Sequence, residues 1–163
     1  MKPIVGVMGA GRRLGEEERA LAYRLGSMIA ARGWVLLTGG SASGVMDAAS
    51  QGAHDAGGLV VGVLKGERAD GASQYVDIAI RTGMGDARNV VNVLSSDVVV
   101  ALPGGSGTLS EVALGLKSGK AVIVLGWDPG AAMRSAGPGT LLEATSAEEA
   151  VAMAAEQIAS RTP

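Results

Sequence analysis

Short apolar runs recur along the chain, separated by longer stretches in which apolar residues return with a helical period. Most of the short runs are apolar throughout, which is typical of strands covered on both faces, as in a parallel sheet. Six strands are predicted on this basis, over residues 3–8, 34–38, 59–64, 75–80, 97–102 and 121–125.

The stretches between these runs have the spacing of amphipathic helices. Residues 16–32, for example, place Leu21, Leu25 and Ile29 at helical intervals, and their acidic start suits the positive end of a helix dipole. Helices are predicted over residues 16–32, 44–56, 87–95, 108–118 and 146–160. The regular alternation of strand and helix predicts an α/β fold, a Rossmann-like doubly wound parallel sheet of six to seven strands.

Composition and charge narrow the class of protein. The chain has 163 residues, 47% of them hydrophobic, which suits a single globular domain over residues 1–163. It has no cysteine and a net charge of −2, and its longest basic run is Arg12-Arg13. We therefore expect no nucleic-acid surface and no disulfide. The first apolar run stops at Gly9, too short for a signal peptide or a membrane span, so a cytoplasmic protein is expected.

Glycine-rich segments follow four of the predicted strands, over residues 9–13, 39–44, 83–89 and 103–108. In an open parallel sheet, ligands bind beyond the carboxyl ends of the strands, so these segments are expected to share one edge. Glycine lets backbone N–H groups approach an anion, and a helix N-terminus adds partial positive charge. Tight turns alone would explain one such segment, whereas four together favour a phosphate-binding crevice. Its candidate residues are Gly9, Gly11, Arg12, Gly39, Gly40, Arg88, Gly104, Gly105, Ser106, Gly107, Thr108 and Glu111.

The loops lack the signatures of common cofactor sites. Gly9 and Gly11 are followed by Gly15, one residue too late for a dinucleotide fingerprint, and Thr38 stands where strand two would offer an acid to a ribose. No Gly-Lys-Ser or Gly-Lys-Thr sequence follows any strand. His54, the only histidine, is predicted to lie mid-helix on the surface, which removes Ser–His catalysis. We expect no NAD, no PLP and no structural metal.

Arg88 and Glu111 are the charged residues singled out for chemistry, because each lies near the start of a helix that follows a strand. If strands four and five are neighbours, the two side chains face one crevice. Arg88 could then bind a phosphate or carboxylate bidentately, and Glu111 could act as a base or hold a hydroxyl. The structural alternatives are a solvated helix start for Arg88 and a capping box for Thr108-x-x-Glu111.

Residues 102–111, Leu-Pro-Gly-Gly-Ser-Gly-Thr-Leu-Ser-Glu, resemble the Pro-Gly-Gly-x-Gly-Thr-x-x-Glu motif of the LOG superfamily. That group includes cytokinin-activating phosphoribohydrolases and molybdenum cofactor carrier proteins. Residues 38–46 resemble its Gly-Gly-x-x-x-Gly-Leu-Met segment, and residues 83–89 stand where it places an arginine. For the enzymes, the resemblance implies cleavage of the base–ribose bond of a nucleoside 5′-monophosphate. Arg88 and Glu111 would then be the catalytic pair, and residues 104–108 would hold the phosphate.

Two departures from the enzymes favour the carrier branch. The enzymes usually follow the arginine with lysine and carry two adjacent acids, whereas this chain has Asn89 and Ser110. Losing a cation and a carboxylate weakens stabilisation of an oxocarbenium-like transition state. The resemblance to the carriers instead implies molybdenum cofactor as cargo, Arg88 and Arg12 balancing its charge, and a homodimer or homotetramer.

The leading hypothesis is thus a carrier that binds a phosphorylated pterin, most plausibly molybdenum cofactor. The alternative is a phosphoribohydrolase that releases a free base, and a third hypothesis is a regulatory protein that senses a nucleotide. The sheet also resembles that of DNA-processing proteins of bacterial transformation, which the missing basic patch disfavours.

Overall fold

A computed structural model describes residues 1–160 of the chain. They form one parallel sheet of seven strands in the order β4-β3-β2-β1-β5-β6-β7. The Rossmann-like α/β prediction is therefore confirmed. The strands are β1 Ile4–Met8, β2 Val35–Thr38, β3 Leu59–Leu64, β4 Ile78–Arg81, β5 Val98–Ala101, β6 Ala121–Leu125 and β7 Thr140–Ala144. The helices are α1 Glu16–Ala31, α2 Gly44–Asp55, α3 Asn89–Ser95, α4 Ser106–Lys117 and α5 Ala147–Ser160, with short 3₁₀ helices at Gly85–Arg88 and Ala131–Ser135.

Helices cover both faces of the sheet. One apolar core lies between the sheet and helices α1, α2 and α5, and a second lies on the opposite face, where α4 contributes Val112 and Leu116. Strands β1, β2, β5 and β6 are buried along almost their whole length. Double coverage explains why these strands are apolar at nearly every position rather than at alternate ones.

Several strands and helices begin at other residues than predicted, and one strand was not predicted. Strand β4 begins at Ile78, three residues later than predicted, because Asp77 turns its carboxylate to accept the Val60 N–H at 2.8 Å. Strand β7 was not among the six predicted runs. The predicted helix 87–95 is a 3₁₀ turn that passes into α3 at Asn89, and α4 begins at Ser106 rather than at residue 108.

Residues 65–74 form a connection without helix or strand, whereas residues 127–139 contain the 3₁₀ helix Ala131–Ser135. His54 is exposed, as predicted, but it lies in the last turn of α2 rather than mid-helix. Within residues 1–160, no helix combines the length and apolar character needed to cross a membrane.

Candidate functional site

A cavity of about 550 Å³ opens at the carboxyl edge of the sheet. Its walls come from the loops that follow β1, β2, β3 and β5 and from the 3₁₀ helix after β4. The glycine-rich segments thus share one edge of the sheet, as predicted. The candidate residues in the wall are Gly9, Gly11, Gly39, Arg88, Gly105, Ser106, Gly107, Thr108 and Glu111.

The other three candidate residues do not line the cavity wall. The exposed guanidinium of Arg12 donates to both carboxylate oxygens of Glu18, at 2.7 and 3.0 Å, and lowers the pKa of Glu18 to about 2. A Cβ atom on Gly104 would lie 2.1 Å from Thr108 Oγ1, and one on Gly40 would lie 3.0 Å from the β3 backbone. Both glycines therefore make room for packing inside the protein.

The N-terminus of helix α4 forms one wall of the cavity. Its N-cap, Gly105, has an extended backbone and no side chain to satisfy the first amides of the helix. These amides have no partner within the helix, and they carry its partial positive charge. A Cβ atom on Gly105 or Gly107 would meet no heavy atom of the described chain within 4 Å. The space beside these amides is open to an anion.

Glu111 lies one turn further along α4 and belongs to the site rather than to a helix cap. The capping-box alternative is wrong, because α4 begins at Ser106 and its N-cap is Gly105. Glu111 instead accepts two hydrogen bonds at Oε1, from Asn92 Nδ2 at 2.8 Å and from Arg88 Nη1 at 3.4 Å. All three side chains are buried.

Arg88 reaches Glu111 by a route that the sequence did not predict. Strands β4 and β5 are not neighbours, because β3, β2 and β1 lie between them. The chain returns from β4 at the sheet edge through the 3₁₀ helix and α3, which contacts β1 and α4. Arg88 ends that 3₁₀ helix and is only 6% exposed, so the solvated alternative for it is also wrong.

Burial sets the electrostatics of this pair. It raises the pKa of Glu111, an effect opposed by the Asn92 hydrogen bond and the Arg88 charge, and it lowers the pKa of Arg88, which remains cationic. Within residues 1–160, Arg88 Nε has no hydrogen-bond partner. An unused buried donor beside a cavity is expected where a ligand or a water molecule completes a site.

Gly39 provides the space in which the Arg88 guanidinium lies. A Cβ atom on Gly39 would stand 2.4 Å from Arg88 Nη2, whereas one on Gly11, also in the wall, would meet only Met46 Cε at 3.4 Å. We expect Gly39→Ala to lower the free energy of unfolding by roughly 1–3 kcal/mol through overpacking. Urea unfolding measures this, with Gly11→Ala as the matched control. Equal stability of the two variants would contradict the packing described.

Asn89 and Ser110 were not predicted as functional residues, although they are the two positions at which the chain departs from the LOG-type enzymes. Asn89 Nδ2 donates to Ser110 Oγ at 2.8 Å, and Ser110 Oγ donates to the Gly107 carbonyl at 2.7 Å. These bonds brace the first turn of α4 against the start of α3. Within residues 1–160, no group of three His, Asp or Glu side chains is arranged to hold a metal ion.

Four charged wall residues were missed, because three lie outside the glycine-rich segments and the fourth, within residues 83–89, was not singled out. They are Lys65, Arg68, Asp70 and Asp86. A lysine directly after a buried strand at the ligand-binding edge was the available signal. Lys65 forms an ion pair with Asp86, and Arg68 pairs with Asp70 at 2.8 Å.

Known proteins resemble the chain in sequence and in structure. A sequence model of the SLOG cluster4 family matches residues 2–158. The molybdenum cofactor binding protein of the phototrophic bacterium Rippkaea orientalis superposes with a TM-score of 0.92 at 48% identity, over 97% of this chain and 98% of that one. The molybdenum cofactor carrier protein of Chlamydomonas reinhardtii superposes with a TM-score of 0.90 at 44% identity, over 98% and 99% of the two chains.

An enzyme is also similar, over a shorter range. A cytokinin riboside 5′-monophosphate phosphoribohydrolase of Mycobacterium tuberculosis is 36% identical over 94 residues. The match covers 56% of this chain and 50% of the enzyme, so the chain spans half the length of that relative.

Proposed function

The chain belongs to the SLOG cluster4 family, and on that premise we propose that it binds molybdenum cofactor, a phosphorylated pterin, as a carrier. The family lies within the LOG superfamily that residues 102–111 predicted. Two structures that match nearly the whole chain are of molybdenum cofactor binding or carrier proteins, and they support this choice of cargo.

The observation that carries the proposal is the N-terminus of α4 in the cavity wall, where Gly105 and Gly107 have no side chain. Gly105 and Gly107 have ordinary backbone angles and unoccupied space where a side chain would stand, so packing does not require glycine at either position. A phosphate that approaches these amides would meet the positive end of the helix. The cavity, at about 550 Å³, is within the range of pockets that hold ligands of cofactor size.

The hydrogen bonds of Asn89 and Ser110 favour a carrier over a hydrolase. These residues stand where the LOG-type enzymes usually have a lysine and a second acid. In this chain both side chains are uncharged, and they form hydrogen bonds with each other and with the α4 backbone. They therefore present no charge to a substrate. A carrier needs the phosphate site and the cavity, but it needs no group to stabilise a developing cation.

Equilibrium binding tests the proposal directly. We expect the wild-type protein to bind molybdenum cofactor, released from a molybdoenzyme under anaerobic conditions, saturably and with one site per chain. Inorganic phosphate should compete, because it would occupy the amides of α4. Binding that does not saturate, or that phosphate leaves unchanged, would refute this assignment.

The alternative function is a phosphoribohydrolase, which the buried acid supports. Burial raises the pKa of Glu111, which suits this carboxyl group to proton transfer, and the cationic Arg88 guanidinium 3.4 Å away could bind the phosphate of a substrate. Incubation with AMP separates the two functions. Release of adenine that Glu111→Gln abolishes would put the enzyme first, whereas a folded sample that releases none would remove it.

Assembly, organisation and location are further parts of the proposal. We expect one domain, a homodimer or homotetramer, no nucleic-acid partner and a cytoplasmic location. Exposed apolar side chains on β4 and α3 support self-association, since such surfaces often mark interfaces between proteins. They are Ile78, Ile80, Val90 and Leu94.

A further inference from the structure

The charged side chains of the cavity wall cancel one another. Among residues 1–160, three cations and three carboxylates line it, and each cation lies in an ion pair with one carboxylate. The pairs are Arg88–Glu111, Lys65–Asp86 and Arg68–Asp70. An anionic ligand therefore finds a free cation only if one of these pairs opens.

The pairs differ in how readily they open. Arg88 and Glu111 are each about 95% buried, and separating them would leave a buried carboxylate without its cation. The side chains of Lys65 and Asp86 are 55% and 85% exposed, and an exposed ion pair contributes little to stability. Arg68 and Asp70 are also exposed, but they lie two residues apart in one loop and their pairing is local.

Hydrogen bonds hold the backbone at Lys65 independently of its side chain. The Gly85 N–H donates to the Lys65 carbonyl at 3.0 Å, and the Thr82 hydroxyl donates to the Leu64 carbonyl at 2.7 Å. These bonds tie the end of β3 to the segment that carries Asp86. The Lys65 ammonium can therefore exchange partners without a rearrangement of the cavity wall.

Lys65 and the N-terminus of α4 follow different strands and enter the cavity wall from different parts of the sheet edge. Strands β3 and β5 are separated by β2 and β1, which places their ends about 14 Å apart along the sheet edge, at about 4.8 Å per strand. The Lys65 charge acts inside the cavity, since it opposes the rise that burial causes in the pKa of Glu111.

Resting on the proposed binding of a phosphorylated ligand, we propose that Lys65 binds a second anionic group of that ligand, leaving Asp86 as the ligand enters. The cargo then has two negatively charged ends. Its phosphate lies on the amides of α4, and a further oxyanion, such as the one a metal–oxo centre provides, lies against Lys65. Asp86 holds the lysine in place before the cargo binds and competes with the cargo for it.

Opposite effects of two substitutions test this proposal. We expect Lys65→Met to weaken binding of molybdenum cofactor about tenfold, the effect of losing a hydrogen bond to a charged group. Asp86→Asn should tighten binding about threefold, because it removes a competitor of an exposed ion pair. Inorganic phosphate should bind Lys65→Met within about twofold of wild type in physiological salt, since screening limits the effect of a distant charge.

The controls come from an exposed ion pair outside the cavity, Arg24–Glu148 between α1 and α5. Arg24→Met and Glu148→Gln should leave cofactor binding unchanged, and thermal unfolding confirms that every variant is folded. If wild type binds but the Lys65 and Asp86 variants shift in the same direction, or not at all, the role of Lys65 is wrong. Equal losses for phosphate and cofactor would also overturn it. If wild type binds no cofactor, the proposed function itself fails.

Discussion

Gly105→Asp is expected to weaken binding of molybdenum cofactor by roughly 100-fold or more, because a carboxylate in the first turn of α4 meets the phosphate as a like charge. The new side chain has room, since no heavy atom of the described chain lies within 4 Å of its Cβ position. Aspartate is also a favoured N-cap, so it would bond the amides that the phosphate requires. We expect the melting temperature to hold or rise while binding is lost, which titration and thermal unfolding together measure.

Gly15→Asp is the matched control for this substitution. Gly15 is the N-cap of α1, also with an extended backbone, and its Cβ position meets only Glu18 Oε2 at 3.8 Å. It lies outside the cavity wall, so the same change there should leave cofactor binding intact. Undiminished binding by Gly105→Asp would show that the phosphate does not lie on α4.

Arg88→Met is expected to lower the free energy of unfolding by about 3–5 kcal/mol near neutral pH, because it leaves the buried Glu111 carboxylate without its cation. Among residues 1–160, Asn92 then remains as the side-chain donor to that carboxylate. Adding Glu111→Leu should restore much of the loss, since the buried charge is then gone. Urea unfolding of the single and double variants measures both effects.

The loss in Arg88→Met should depend on pH, and the sign follows from the pKa of Glu111. Burial already raises that pKa, and removing Arg88 raises it further. A carboxyl group with a raised folded-state pKa stabilises the fold below its unfolded pKa, and this contribution disappears as pH rises through the folded value. The variant should therefore be less impaired at about pH 5 than at about pH 8. A loss independent of pH would argue that packing, not charge, is responsible.

The sheet was largely predictable because its central strands are buried on both faces. Runs such as Val98–Ala101 and Ala121–Leu125 contain no polar residue, a pattern that local sequence displays in full. Strand β7 was not predicted because it is a partly exposed edge strand with the sequence Thr-Leu-Leu-Glu-Ala. It also directly follows a segment rich in proline and glycine. Two adjacent leucines give too short a run to be distinguished from loop.

The site was predictable only where it is local. The glycine segments could be read from the sequence, because their positions after strands placed them at one edge. The meeting of Arg88 with Glu111 was implied only by the family resemblance, because the route to it depends on strand order and on the path of α3 across β1. The pairing of Lys65 with Asp86 has the same origin, since 21 residues separate them and a 3₁₀ turn brings them together.

Charge cancellation in the cavity also bears on how an anionic ligand would arrive. With the described cations of the wall paired and a net charge of −2 for the whole chain, we expect little electrostatic steering of anions toward the entrance. On the proposed role of Lys65, a ligand with only one phosphate would leave Lys65 paired with Asp86. If the chain carries the proposed cofactor, loading would then favour direct delivery from a protein that already holds it over collection from bulk solution.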